Sequence, residues 1–142
     1  MTTSATPSFS ANIDLGDQTP AYTVPLTLTD TRTAPTAGWN LTVTSTQFTT
    51  GTRKLATTAS SVTGVTFACV SACSANPTNA ISYPVAVPAA TAPPTAVRFY
   101  NAAANTGKGT FTITPTVTVG VPANSYTGSY SSTLTLSVVS GP

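Results

Sequence analysis

Apolar and polar residues alternate with period two through most of the chain, the signature of strands with one buried face. Between residues 111 and 121, Phe111, Ile113, Pro115, Val117, Val119 and Val121 hold the odd positions, and threonine fills most of the even ones. This predicts a long strand with one buried and one threonine-lined face. Residues 130–138 repeat the pattern with Leu134, Leu136 and Val138 inward. The short connection at 122–125 predicts that these two segments pair antiparallel.

Upstream, Val24, Leu26 and Leu28 share one face of a strand that ends at Asp30, and Pro25 marks it as an edge strand or a bulge. Trp39, Leu41 and Val43 form the inward face of the next strand, and Phe48 breaks its parity, which implies a bulge or a strand end. Residues 9–15 read as a weaker first strand, and 62–67, 81–87 and 97–100 as further short ones. Twelve prolines and nine glycines are spread along the chain, and no window shows a 3.6-residue period. Residues 101–104 are the one candidate helical turn, and 88–94 reads as a loop of polyproline character. The pattern predicts an all-β fold, a single-domain antiparallel β-sandwich of Ig-like or Greek-key type over residues 1–142. Residues 1–10 are polar and read as an extended arm able to add as a strand to a neighbour.

Composition narrows the function. Only 6% of the residues are charged, against about 25% in ordinary soluble domains. A net charge of +2 from scattered residues supplies no basic stripe for nucleic acid. No apolar run is long enough to span a membrane. Threonine occurs 32 times, and a β-branched, hydroxylated, uncharged surface suits an exported wall, sheath or fibre protein. Residues 1–4 have no basic or apolar leader character, so export implies a signal outside this numbering.

Catalytic chemistry is poorly supplied. There is no histidine to activate a serine or threonine, and the only carboxylates are Asp14, Asp17 and Asp30. No enzyme, no catalytic residue, no cofactor and no metal site is expected. Cys69 and Cys73 are too few for structural zinc and too far apart for a typical redox pair, and they read as a small-loop disulfide. Asn40-Leu41-Thr42 matches a glycosylation triplet by chance in a threonine-rich chain. Asp30 and Arg32 end one strand and Trp39 opens the next. They read either as an ion pair with a core anchor or as a polar and aromatic surface for a sugar or peptide. A carbohydrate-binding module would use Trp39 with some of Tyr22, Tyr83, Tyr100, Tyr126 and Tyr130 as stacking platforms.

The stretch Leu28 to Arg32 followed by Gly38-Trp39-Asn40-Leu41 resembles the first motif of WxL domains, cell-surface domains of Gram-positive bacteria. Tyr130, Leu134, Thr135 and Pro142 fall at the spacing of the family's second motif, with Leu136 where its second Trp is expected and Val138 where Leu is. Alternation places Leu136 on the inward face, where one apolar side chain replaces another. The resemblance implies a secreted, non-enzymatic protein held non-covalently at the cell wall, through peptidoglycan or another wall polymer, with other surface proteins as further partners. Its candidate binding residues are Asp30, Arg32, Trp39, Leu41, Tyr130, Leu134, Thr135 and Leu136. The alternative is a structural subunit that self-assembles as a homo-oligomer or filament into a fibre, sheath or surface layer, because few charges protect its sheet edges.

Overall fold

Threonine alternating with apolar residues yields a strand-dominated fold in the computed structural model, which describes residues 1–3, 5–33 and 37–141. The elements in chain order are β1 (Ala21–Thr23), β2 (Leu26–Asp30), β3 (Trp39–Thr46), β4 (Thr49–Thr50), β5 (Arg53–Lys54) and β6 (Ser60–Ala75). They continue with β7 (Val85–Ala86), β8 (Ala89–Ala90), β9 (Val97–Ala102), β10 (Lys108–Val119) and β11 (Leu134–Ser140). One sheet runs β1-β10-β6-β7, with β2 also on β10. The other centres on β3, flanked by β11 on one side and by β9 and β8 on the other. Strands β4 and β5 form a small hairpin. The all-β sandwich stands, and pairing is antiparallel apart from the short parallel contact of β8 with β3.

Strand β10 buries every odd residue from Gly109 to Val119 and leaves its even residues half-buried. Phe111, Ile113 and Val117 meet Leu26, Leu28 and Val62 from their own sheet, and Trp39, Leu41, Val43 and Phe99 from the other, in one apolar core. Each such side chain contributes roughly 1.5–3 kcal/mol by leaving water. Two prolines fit because of where their missing N–H groups point. The Pro115 carbonyl accepts from the Val24 N–H at 3.2 Å, so Pro115 faces the break between β1 and β2. Pro25 lies in that break, and its carbonyl accepts the Thr3 hydroxyl on the outer edge at 3.0 Å. On that edge Thr2 exchanges backbone hydrogen bonds with Thr27, at 2.9 and 3.0 Å, so this end of the arm pairs within its own chain.

Several expectations from the pattern are corrected. Segments 111–121 and 130–138 do not pair: β10 and β11 lie in opposite sheets. Alternation dictates which face is buried but not which strand lies alongside, and the second strand starts only at Leu134. Residues 120–133 are then a connector long enough to cross the sandwich. Residues 9–15 form no strand; Asn12 caps a 3-10 turn at Ile13–Leu15 through the Asp14 N–H, and Phe9 stacks on Tyr22. In 81–87 only Val85–Ala86 is a strand, because Pro84 offers no N–H. Asn101 and Ala102 finish β9 instead of forming a helical turn. The 62–67 strand extends to Ser60–Ala75. Past Phe67 it is mostly exposed, so no alternation reveals it, although its backbone still pairs with β10. Phe48 marks the end of β3.

Cys69 and Cys73 are joined, but within β6 and not in a loop. The strand is bulged there, where Thr110 faces Ser71 and Phe111 faces Cys69. Ala72 takes a left-handed backbone with φ 53°. A Cβ on Gly109 would lie 2.7 Å from the Ala72 carbonyl oxygen, so only glycine lets β10 pass this bulge.

Candidate functional site

Strand β2 ends on Asp30, whose carboxylate takes a two-point grip from Arg32. Nε donates to Oδ1 and Nη2 to Oδ2, both at 2.8 Å. The Arg32 backbone N–H adds a third bond to Oδ1 at 3.1 Å. The same guanidinium donates to the Gly38 carbonyl at 2.8 Å and to the Ser140 hydroxyl at 2.9 Å. Arg32 therefore ties the end of β2 to the start of β3 and the end of β11. Its hydrogen bonds hold the Asp30 carboxyl below the usual carboxylate range, against the opposing effect of burial. Such a carboxylate is committed to the clamp and is a poor general acid or base.

Trp39 is only 2% exposed and lies in the core. Its indole N–H donates to the Gly107 carbonyl at 3.1 Å, which satisfies the one polar atom the ring carries into the interior. Its ring packs against Tyr100 with centroids 5.9 Å apart, and burial pushes the Tyr100 hydroxyl up to about 12. Leu41 is equally buried. A Cβ on Gly38 would sit 2.2 Å from the Ala102 carbonyl oxygen, and one on Gly107 2.7 Å from the Trp39 indole nitrogen. Gly107 is a partner of the first motif that sequence reasoning missed, because its signal is a lone glycine 68 residues away.

The two motifs, far apart in the chain, lie on paired strands. Leu41 faces Val138, Val43 faces Leu136, Thr44 faces Thr135 and Ser45 faces Leu134. Asn40 donates its amide to the Gly141 carbonyl, and the Gly141 N–H returns to the Gly38 carbonyl at 3.1 Å. Asn40 is thereby buried and offers no side chain for glycosylation. Pro142, the last residue of the second motif, lies outside the described residues. Tyr130 is not part of β11; it belongs to the connector and donates its hydroxyl to the Tyr126 carbonyl at 3.1 Å.

Leu134, Leu136 and Tyr130 instead line a cleft of about 830 Å³ between the two sheets' edges. Tyr22 and Val24 line it from the other sheet, Phe9 from the arm, and Tyr126 from the connector. Of the aromatics proposed as platforms, Trp39 and Tyr100 are buried, and Tyr83 is held by its hydroxyl on the Phe99 carbonyl at 2.8 Å. Tyr22, Tyr126 and Tyr130 reach the cleft. Sequence reasoning passed over Phe9 as a strand residue, and only its stacking on Tyr22, with rings 5.7 Å apart, places it here.

Among the described residues, no cluster of three or more His, Cys, Asp or Glu side chains is suited to a metal ion. Among the described residues, no helix is long and apolar enough to cross a membrane. Comparison with curated proteins and with solved structures gave no match. A family model described as WxL domain, surface cell wall-binding, matches residues 2–142. The chain belongs to the WxL family of cell wall-binding surface domains.

Proposed function

We propose that this chain is a secreted, non-catalytic module that holds non-covalently to peptidoglycan. The observation that carries this reading is the family match over nearly the whole chain. The chemistry agrees with it. The chain has no histidine, and Asp30 is engaged by Arg32 through both carboxylate oxygens. On this reading, the Asp30–Arg32 clamp and the Trp39–Gly107 bond act as fold determinants that brace the sheets, and binding falls to the surface they hold in place. Sedimentation with purified Gram-positive sacculi tests it, against a matched tube without them. Pelleting only with sacculi supports the reading, and failure to pellet with them overturns it.

A second reading, self-assembly, is favoured by β11. Among the described residues this edge strand pairs with β3 alone, and its Val138 and Val139 are 45% and 49% exposed. An open edge of this kind is a template for another strand. Equal pelleting with and without sacculi is the outcome it requires.

A further inference from the structure

We propose that the cleft between the open edges of the two sheets is the wall-polymer seat, and that it takes uncharged sugar rings in preference to anionic polymers or peptide stems. This rests on the peptidoglycan reading and assigns it a place. The volume of about 830 Å³ falls within the roughly 300–1,000 Å³ typical of ligand sites. None of its lining residues is an Asp, Lys or Arg. A polyphosphate chain needs a row of cations, and the lining has none. One cation outside the lining, Arg53, holds its guanidinium 3.4 Å from the centre of the Tyr126 ring and is engaged there by a cation–π contact.

What the cleft does offer is aromatic surface and hydroxyls. Phe9 stacks on Tyr22 with rings 4° from parallel and meets Phe48 edge-on, each at 5.7 Å between centroids. Tyr126 is 57% exposed at the opposite wall. The connector adds the hydroxyls of Ser129, Ser131 and Thr133. A pyranose ring presents an apolar C–H face and a rim of hydroxyl or N-acyl groups. The first packs on an aromatic ring and the second exchanges hydrogen bonds with serine and threonine hydroxyls. A charged stem peptide would lose hydration here, and Arg53, the cation beside the cleft, is already engaged on the Tyr126 ring.

The test is calorimetric titration of the full chain with N-acetylglucosamine tetramer, poly(glycerol phosphate) and a free stem pentapeptide, alongside sacculus sedimentation. Two variants change the cleft: Tyr126→Ala removes an exposed platform, and Leu136→Trp fills space. Val139→Thr, outside the lining, is the control. The tetramer is expected to bind, and the phosphate polymer and peptide are not. Tyr126→Ala should weaken tetramer binding roughly three- to ten-fold, the worth of one aromatic contact. Leu136→Trp should abolish it, and Val139→Thr should leave it unchanged. If Leu136→Trp fails to fold, the exposed Tyr126→Ala still decides. Tetramer binding unchanged by Tyr126→Ala, or stronger binding of the phosphate polymer or peptide, overturns the proposal. Sacculi that retain both variants as well as the parent chain place wall binding elsewhere on the molecule. Sacculi that retain none of the proteins, the parent included, remove the peptidoglycan reading itself.

Discussion

Trp39 shows how a residue's role depends on a partner far away in the chain. Its place in an alternating strand is legible from the neighbours Leu41 and Val43, but the pattern leaves its ring either core or platform. The Gly107 carbonyl under the indole N–H decides for the core. Trp39→Ala should therefore cost about 3–5 kcal/mol, read from urea unfolding. Gly107→Ala should cost more than about 1 kcal/mol in the same assay, from its φ of +66° together with the clash at the indole. Asp30 carries a pH dependence. Its carboxyl is held below the ordinary range in the folded state. Its contribution is therefore complete above the unfolded value of about 3.9 and is lost as pH falls through the lower folded value. Urea midpoints taken from pH 7 down to pH 2 should show less acid loss in Asp30→Asn than in the parent chain. Equal loss in both would assign the acid sensitivity to other groups.

At the scale of elements, the disulfide has a different setting from the surface loop that its spacing implies. It closes a bulged stretch of β6 against β10. On the chain-entropy account, so short a loop stabilises by about 2 kcal/mol, so reduction should lower the urea midpoint accordingly. A much larger loss would show that the bulge does not keep its register unaided. Alternation made β2 and β10 legible, because each buries one face, and it found the inward residues of β3 and, in β11, Leu134 and Leu136, which pack against the core. Val138, expected inward by the same parity, is instead 45% exposed, because β11 packs on the core only at its first half. Alternation failed where burial is not one-sided. Beyond Phe67, β6 is mostly exposed, so hydrophobicity carries no period there. The pairing of β10 with β11 failed for another reason. Two strands with apolar faces satisfy the same core from either sheet, and β11 is held in the second by its register with β3, which alternation does not encode.

Across the whole molecule, the WxL-like motifs converge as neighbours, with Leu41 opposite Val138 and Arg32 reaching Ser140. Their spacing along the chain was legible, and their adjacency was not, because register between distant strands leaves no local mark. The cleft was hidden for the same reason: Phe9, Tyr22, Tyr126 and Leu136 come from separate elements and share no motif. What the sequence did carry is the scarcity of charge, 6% of residues, and this shapes the central claim that the domain binds the wall through an uncharged surface. Sacculus affinity measured from low to high salt tests that claim most directly. Screening shortens the reach of charges from about 30 Å at 0.01 M to about 3 Å at 1 M, so contacts made by aromatic rings and hydroxyls should survive it. The account predicts a bound fraction that changes less than about two-fold across that range. A steep fall with salt would show that charge holds the protein to the wall and would contradict it.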